Sequence, residues 1–179
     1  MLRRPHTILA TVGIIAVFVA PASGARQSRA QALTPANALE TAVLSQMNVV
    51  RARRGLRPLR ITISLSQAAD QHCRSMARRG YFSHNSANGT PFWRRIQGYY
   101  PAAGFRYWSV GENLLWSSPS VDAASALRMW MQSPEHRANL LNRGWRDVGV
   151  AAVHAPSAPG VYGGRRVTIV TTDFGVRVR

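Results

Sequence analysis

Apolar residues recur at helical spacing through the first half of the chain and give way to β-branched runs near its end. Leu39, Val43, Met47 and Val50 fall on one face of a helix. Thr34 followed by Pro35 is a hydroxyl cap with proline at the first helical position, and Gly55 supplies the stop. After a turn around Pro58, Ser64 caps a second helix with the stripe Leu65, Ala69, His72 and Met76, ending at Gly80. Residues 81–86 read as a loop, and Thr90-Pro91 opens a short third helix. The stretch from Gly98 to Ser109 is aromatic and irregular, and Gly111-Glu112-Asn113-Leu114-Leu115 follows it. A Ser/Pro turn then leads to a fourth helix from about Val121 to Gln132. Ser133-Pro134 repeats the cap-then-proline signal for a fifth helix ending near Asn142. Val148–Val153 and Val167–Phe174 are apolar strands joined by a Pro/Gly-rich loop from Pro156 to Gly164. Helices first and strands late is the order of an α+β domain, without internal repeat or long linker.

The first residues follow a different logic. Arg3, Arg4 and His6 precede an uncharged apolar run from Ile8 to Ala20, then Pro21, Ala22, Ser23 and Gly24. A basic start, a short apolar run and small residues are the layout of a secretory leader, and the run is too short to span a bilayer as a helix. Residues 1–24 are read as a signal peptide, with cleavage as late as Ala32, the alternative being an uncleaved anchor. Residues 25–36 form a short N-terminal segment and 37–179 one domain. The expected location is extracytoplasmic.

Composition narrows the chemistry. The chain has 179 residues, 46% of them hydrophobic, enough for one packed core. Its 23 basic residues are all arginine, against seven acids, giving a formal charge of +16. Without lysine there is neither Schiff-base chemistry nor a phosphate-loop lysine. One cysteine, Cys73, excludes an intramolecular disulfide framework and any multi-cysteine zinc site. Beside His72 on the second helix, it reads as a buried, inert thiol. The arginines are scattered as short clusters such as Arg53-Arg54, Arg78-Arg79, Arg94-Arg95 and Arg165-Arg166. They make either an ordinary solvated surface or an attraction to anionic envelope polymers and lipid headgroups. No signature of specific nucleic-acid binding is present.

His84 lies in a loop and His136 at a helix start, both positions where a side chain can face a cleft. His72 sits on an apolar stripe and reads as core packing, and His154 as surface. Glu135 early in a helix is explained by the favourable field at a helix amino terminus. Glu112, between Gly111 and Asn113, has no such structural reason. His84, Glu112 and His136 are far apart in the chain, and spacing alone does not unite them.

The motifs Asn48-x-x-Arg51-x-x-x-Gly55-Leu56-x-Pro58-Leu59, Ala69-x-x-His72-x-x-x-Met76 and Tyr81-Phe82-Ser83-His84 stand in this order. Gly111-Glu112-Asn113-Leu114 follows, then Trp130-Met131-x-Ser133-Pro134-x-His136-Arg137-x-Asn139-Leu140-Leu141. Val148-Gly149-Val150 and Thr171-x-Asp173-Phe174-Gly175 complete the series. Together they resemble the CAP superfamily of cysteine-rich secretory, antigen 5 and pathogenesis-related proteins, in its bacterial secreted, SCP-like form. The resemblance implies an α-β-α sandwich, a small antiparallel sheet between helical layers. It also implies a cleft lined by two histidines and two glutamates, which in some members binds a divalent metal such as zinc. By motif, His84, Glu112 and His136 are three of the four, and the metal ligands if metal is bound. The second glutamate falls at Ser133, with Glu135 as a possible substitute in the cleft.

Three functions follow from that resemblance and from the charge. The first is a secreted binding module holding a small lipid, peptide or cell-wall fragment in the cleft, with or without metal. The second is a metal-dependent, peptidase-like hydrolase using a His₂Glu zinc site with one open position. The third is an electrostatic binder of anionic envelope polymers. No catalytic residue is assigned.

Overall fold

The computed structural model describes residues 8–9, 14–17 and 38–179. The expected leader, with its cleavage positions at Gly24 or Ala32, and the Thr34-Pro35 helix opening lie outside the described residues, save two backbone segments, β1 (Ile8–Leu9) and β2 (Ile14–Val17). Both run antiparallel to one edge of β4 (Tyr107–Ser117). The sheet continues through β6 (Arg165–Val178) and β5 (Asp147–Ala158), both antiparallel, to the short β3 (Arg60–Ile61), which pairs parallel with β5.

Helices cover both faces, giving the expected α-β-α sandwich. On one side α2 (Ile63–Arg79) and α3 (Phe92–Tyr99) pack Leu65, Ala69, Met76, Phe92 and Ile96 over Val110, Leu114, Trp116 and Ile169. On the other, α1 (Ala38–Ala52), α4 (Ala123–Gln132) and α5 (Pro134–Leu140) enclose Leu115, Val148, Val150, Val170 and Phe174 together with Trp130 and Trp145. Along β4, even-numbered residues face α2 and α3 and odd-numbered residues face α4 and α5, the period-2 alternation of a strand. Sheet and helix approach closely at Gly149. A Cβ there would lie 2.0 Å from the Leu65 carbonyl carbon, so only glycine lets α2 cross β5 at this depth.

Several element boundaries differ from the sequence expectation for physical reasons. The second helix starts earlier than a Ser64 cap implies. Thr62 is its N-cap residue, held where its N–H donates to the Val148 carbonyl (2.9 Å) as β3 ends. It ends as expected at Gly80, in the left-handed conformation at φ 69°. The fourth helix begins at Ala123, where the Asp122 carboxylate accepts from the Ser125 N–H at 2.7 Å. The largest difference is β4, an eleven-residue strand where the sequence showed only an irregular aromatic stretch and a Gly-Glu-Asn motif. Nearly all of it is buried on both faces, so it lacks the polar–apolar alternation by which a strand is read. Both late strands run longer than their apolar cores, and a 3₁₀ turn at Gly160–Tyr162 occupies the Pro/Gly-rich loop.

The Asn48 and Arg51 pair of the first motif has a structural role. The Asn48 side chain both accepts from the Leu59 N–H (2.8 Å) and donates to its carbonyl (3.1 Å). Buried Arg51 donates to the carbonyls of Arg57, Leu140 and Asn142, tying the end of α1 to the end of α5.

Candidate functional site

Glu112 sits midway along β4 with its side chain wholly buried on the α2–α3 side of the sheet. The loop that follows α2 brings His84 to it. Gly80 starts that loop against the Pro159–Gly160 backbone, and its carbonyl accepts from the Val161 N–H at 3.0 Å. The Tyr162 hydroxyl then donates to the Tyr81 carbonyl (2.8 Å), and His72 Nε2 to the Ser83 carbonyl (2.9 Å). So anchored, His84 places Nδ1 2.7 Å from Glu112 Oε1. An ionised carboxylate only accepts, so the imidazole donates through Nδ1–H. In the neutral ring this leaves Nε2 as an acceptor, and that buried atom has no hydrogen-bond partner among the described residues.

Arg95, from α3, completes the contact. Its guanidinium donates to the Glu112 Oε2 atom and, at 2.9 Å, to the His84 carbonyl, so one cation holds both the acid and the loop. His72 Nε2 lies 4.0 Å from Glu112 Oε2. On β6, Asp173 stands directly opposite Glu112 in the register and is also fully buried.

These neighbours set the protonation states. Burial pushes Glu112 upward, but Arg95, His72 and His84 together outweigh it and hold the carboxyl below its ordinary value. Asp173 goes the other way, raised well above the ordinary carboxylate range by burial and then by the Glu112 charge beside it. The pair therefore carries one negative charge, on Glu112. Burial also lowers His72 to about 4, which leaves it neutral, with its proton on the Nε2 that faces the Ser83 carbonyl.

His136 takes part in a network on the α5 side of the sheet. Neighbouring strand residues face opposite sides, and Asn113 leaves β4 toward α5, where it donates to the His136 carbonyl (3.1 Å) and accepts from Asn139 (2.9 Å). The Trp145 indole N–H donates to Asn139 from the same side. His136 is buried, with Nδ1 2.6 Å from Ser133 Oγ. Ser133 holds the N-cap position of α5, but its side chain serves this imidazole and makes no capping bond. Glu135, the possible substitute acid, is exposed in the first turn of α5 while its neighbour His136 faces inward.

Of the five site residues expected from the motifs, then, His84 and Glu112 are in direct contact and Ser133 and His136 form a second pair. The residues missed were Arg95 and Asp173. Arg95 looked like half of an ordinary surface pair with Arg94, and Asp173 was part of a motif without a role. Only the α3 packing and the β4–β6 register reveal them.

The donor set does not fit a His₂Glu zinc site. Both Glu112 oxygens are engaged, one of them by a guanidinium that already provides the positive charge a metal would bring. Among the described residues no three His, Cys, Asp or Glu side chains are arranged to hold a metal ion. Cys73 offers no alternative nucleophile. It is buried, its Sγ lies 3.0 Å from Thr171 Oγ1, and burial drives its thiol pKa upward.

The comparisons with known proteins agree with this architecture. Residues 44–172 match the cysteine-rich secretory protein family, CAP. YkwD of Bacillus subtilis is 31% identical over 122 residues, covering 68% of this chain and 45% of that protein. The membrane protein YlbC of the same organism is 30% identical over 111 residues, 62% of this chain and 30% of its own. The chain thus spans less than half the length of these relatives. Among solved structures, an extracellular SCP-domain protein of Bacillus anthracis superposes with a TM-score of 0.57 at 27% identity, over 81% of this chain and 44% of that one. An outer surface protein of Borrelia burgdorferi shares the fold, with a TM-score of 0.58 at 20% identity over 76% and 91% of the two chains. No helix among the described residues is long and apolar enough to cross a membrane. With the family match covering most of the chain, and the sandwich and its motif residues in place, this protein belongs to the CAP, or cysteine-rich secretory protein, family.

Proposed function

We propose that this CAP domain is an exported binding module that holds a small polar-headed ligand, a peptide, lipid or cell-wall fragment, at His84. The observation that carries this reading is His84 Nε2. The imidazole is fixed by Glu112 and Arg95, and its Nε2, buried and without a hydrogen-bond partner among the described residues, is left for an incoming polar group of the ligand. Glu112 and Arg95 are positioning residues here. They neutralise one another and set the ring's tautomer, leaving neither as a general base. Extracytoplasmic placement is supported by the leader-like start and by relatives described as extracellular or outer-surface proteins.

Titration calorimetry with three probes tests it: a muramidase digest of peptidoglycan, a short peptide mixture and a lysolipid. One probe should bind the native chain and lose about tenfold or more in affinity in His84→Ala, the cost of an unmade buried hydrogen bond. Equal binding by the variant would overturn the assignment. Zinc alone is the fourth titrant. One-site zinc binding that disappears in a His84→Ala/His136→Ala double variant would replace this reading with metal-assisted hydrolysis.

A further inference from the structure

Four strand termini meet at one end of the sheet. β4 and β5 begin there, β6 finishes there, and β3 starts beside β5. Tyr107 stands opposite Val178, and Asp147 opposite both Gly175 and Arg60. Backbone bonds extend the pattern outward. The Arg106 N–H donates to the Val178 carbonyl (2.9 Å), the Arg146 N–H to Gly175 (3.1 Å) and the Arg60 N–H to Arg146 (2.9 Å). Arginines scattered along the sequence are thereby gathered: Arg60, Arg106, Arg143, Arg146, Arg177 and Arg179 share this end, with Arg60, Arg106, Arg143 and Arg179 exposed.

Little there opposes their charge. Asp147 is the side-chain carboxylate among them, and it is divided between the Tyr100 hydroxyl at 2.7 Å and Arg60 at 3.5 Å. Arg177 lies over the Tyr100 ring at 3.8 Å and the Phe105 ring at 4.7 Å, which stiffens the patch without neutralising it. The same end also carries exposed apolar side chains. Of the large hydrophobic residues left open to solvent, Ile61 adjoins Arg60, Val178 lies between Arg177 and Arg179, and Tyr99 precedes Tyr100, whose hydroxyl reaches Asp147.

From this juxtaposition we propose that the arginine-rich end of the sheet docks on an anionic lipid surface. Guanidinium groups match headgroup phosphates in geometry and charge, and each basic residue at such a surface adds to the attraction. A soluble polyanion would use the arginines alone. A lipid surface also rewards the apolar tips of Ile61, Tyr99 and Val178, which can enter the headgroup layer beside them. The face is separate from the His84 site and does not depend on the function proposed for it.

Vesicle co-sedimentation of the full chain tests this at low and moderate salt. Phosphatidylcholine vesicles measure the background, including any contribution of the N-terminal apolar run, and equal parts phosphatidylcholine and phosphatidylglycerol measure the docking. The chain should partition strongly to the anionic vesicles, less so as salt rises. Arg60→Gln/Arg106→Gln/Arg143→Gln/Arg179→Gln should lower that partitioning at least about tenfold. Arg78→Gln/Arg79→Gln/Arg128→Gln/Arg166→Gln, equal in charge but elsewhere on the surface, should retain most of it. Equal losses in the two variants would reduce the effect to net charge and overturn the proposal. Ile61→Ser/Val178→Ser should weaken vesicle binding severalfold while leaving binding to soluble polyphosphate unchanged. If it leaves both unchanged, the partner is a soluble polyanion and the lipid assignment is wrong.

Discussion

Glu112 shows how a single residue acquires its chemistry from neighbours that the local sequence does not contain. Its charge is retained in a fully buried position because Arg95 and His84 bond to its two oxygens, and the cost of burying another carboxylate falls on Asp173 instead. That division has a measurable consequence. Asp173 keeps a proton in the folded state where the unfolded chain has lost its own, so its contribution to stability declines as pH rises above the ordinary carboxylate range. His72 acts in the opposite direction. Between about 4 and its unperturbed value of 6.5 the unfolded chain binds the proton and the folded one does not, so stability rises with pH there. The two trends offset one another in the native protein. In Asp173→Asn the His72 trend should stand uncovered, so the urea midpoint of this variant should climb from about pH 4 to 6.5 more steeply than that of the native chain. Parallel curves would show that Asp173 is ionised in the fold.

At the scale of elements, the site depends on how closely α2 and α3 lie on the sheet. α3 supplies Arg95, and α2 supplies His72 and the loop that carries His84. Leu65 of α2 crosses β5 at Gly149, where the helix backbone itself would be struck by a side chain. Gly149→Ala should therefore cost about 3 kcal/mol or more, as overpacking against backbone has no flexible neighbour to absorb it. Gly55→Ala is the comparison: its Cβ meets nothing within 4 Å, so only the positive φ of 65° is strained, at a cost of about 1 kcal/mol. Urea denaturation of the two variants separates close approach from backbone conformation. β4 teaches the complementary lesson. A central strand carrying Ser109, Gly111, Glu112 and Asn113 between two helical layers offers neither alternation nor a continuous apolar run, and it escaped recognition as a strand for that reason.

For the molecule as a whole, charge balance is the dominant surface property. The formal charge is +16, and most of the few acids are either buried or already bonded within the fold. Glu112 and Asp173 are buried, Glu40 accepts from the Ala152 N–H, Asp122 caps α4, and Asp70 and Asp147 pair with Arg74 and Arg60. Most surface arginines consequently repel one another. Added sodium chloride should raise the melting temperature, as screening relieves self-repulsion more than it weakens a few exposed pairs. A fall in melting temperature between low and moderate salt would mean that surface ion pairs contribute more than repulsion takes away.

The amino-acid order determined what is local or repeated in kind. The stripe of α2, the glycine that ends it, the cap-then-proline start of α5 and the run of family motifs were all legible, because each rests on a few adjacent residues and on backbone preferences. His84 and Glu112 stand out in the sequence itself, and the sandwich follows from the resemblance. Tertiary structure alone decided which groups meet. Alternation along β4 sends Glu112 to His84 and Arg95 on one face and Asn113 to the His136 backbone on the other, while the β4–β6 register brings Asp173 to Glu112. Strand ends converging at one edge turn dispersed arginines into a single patch. Register, layer contact and the convergence of strand ends join residues distant in the chain, and no local pattern encodes distances of that kind.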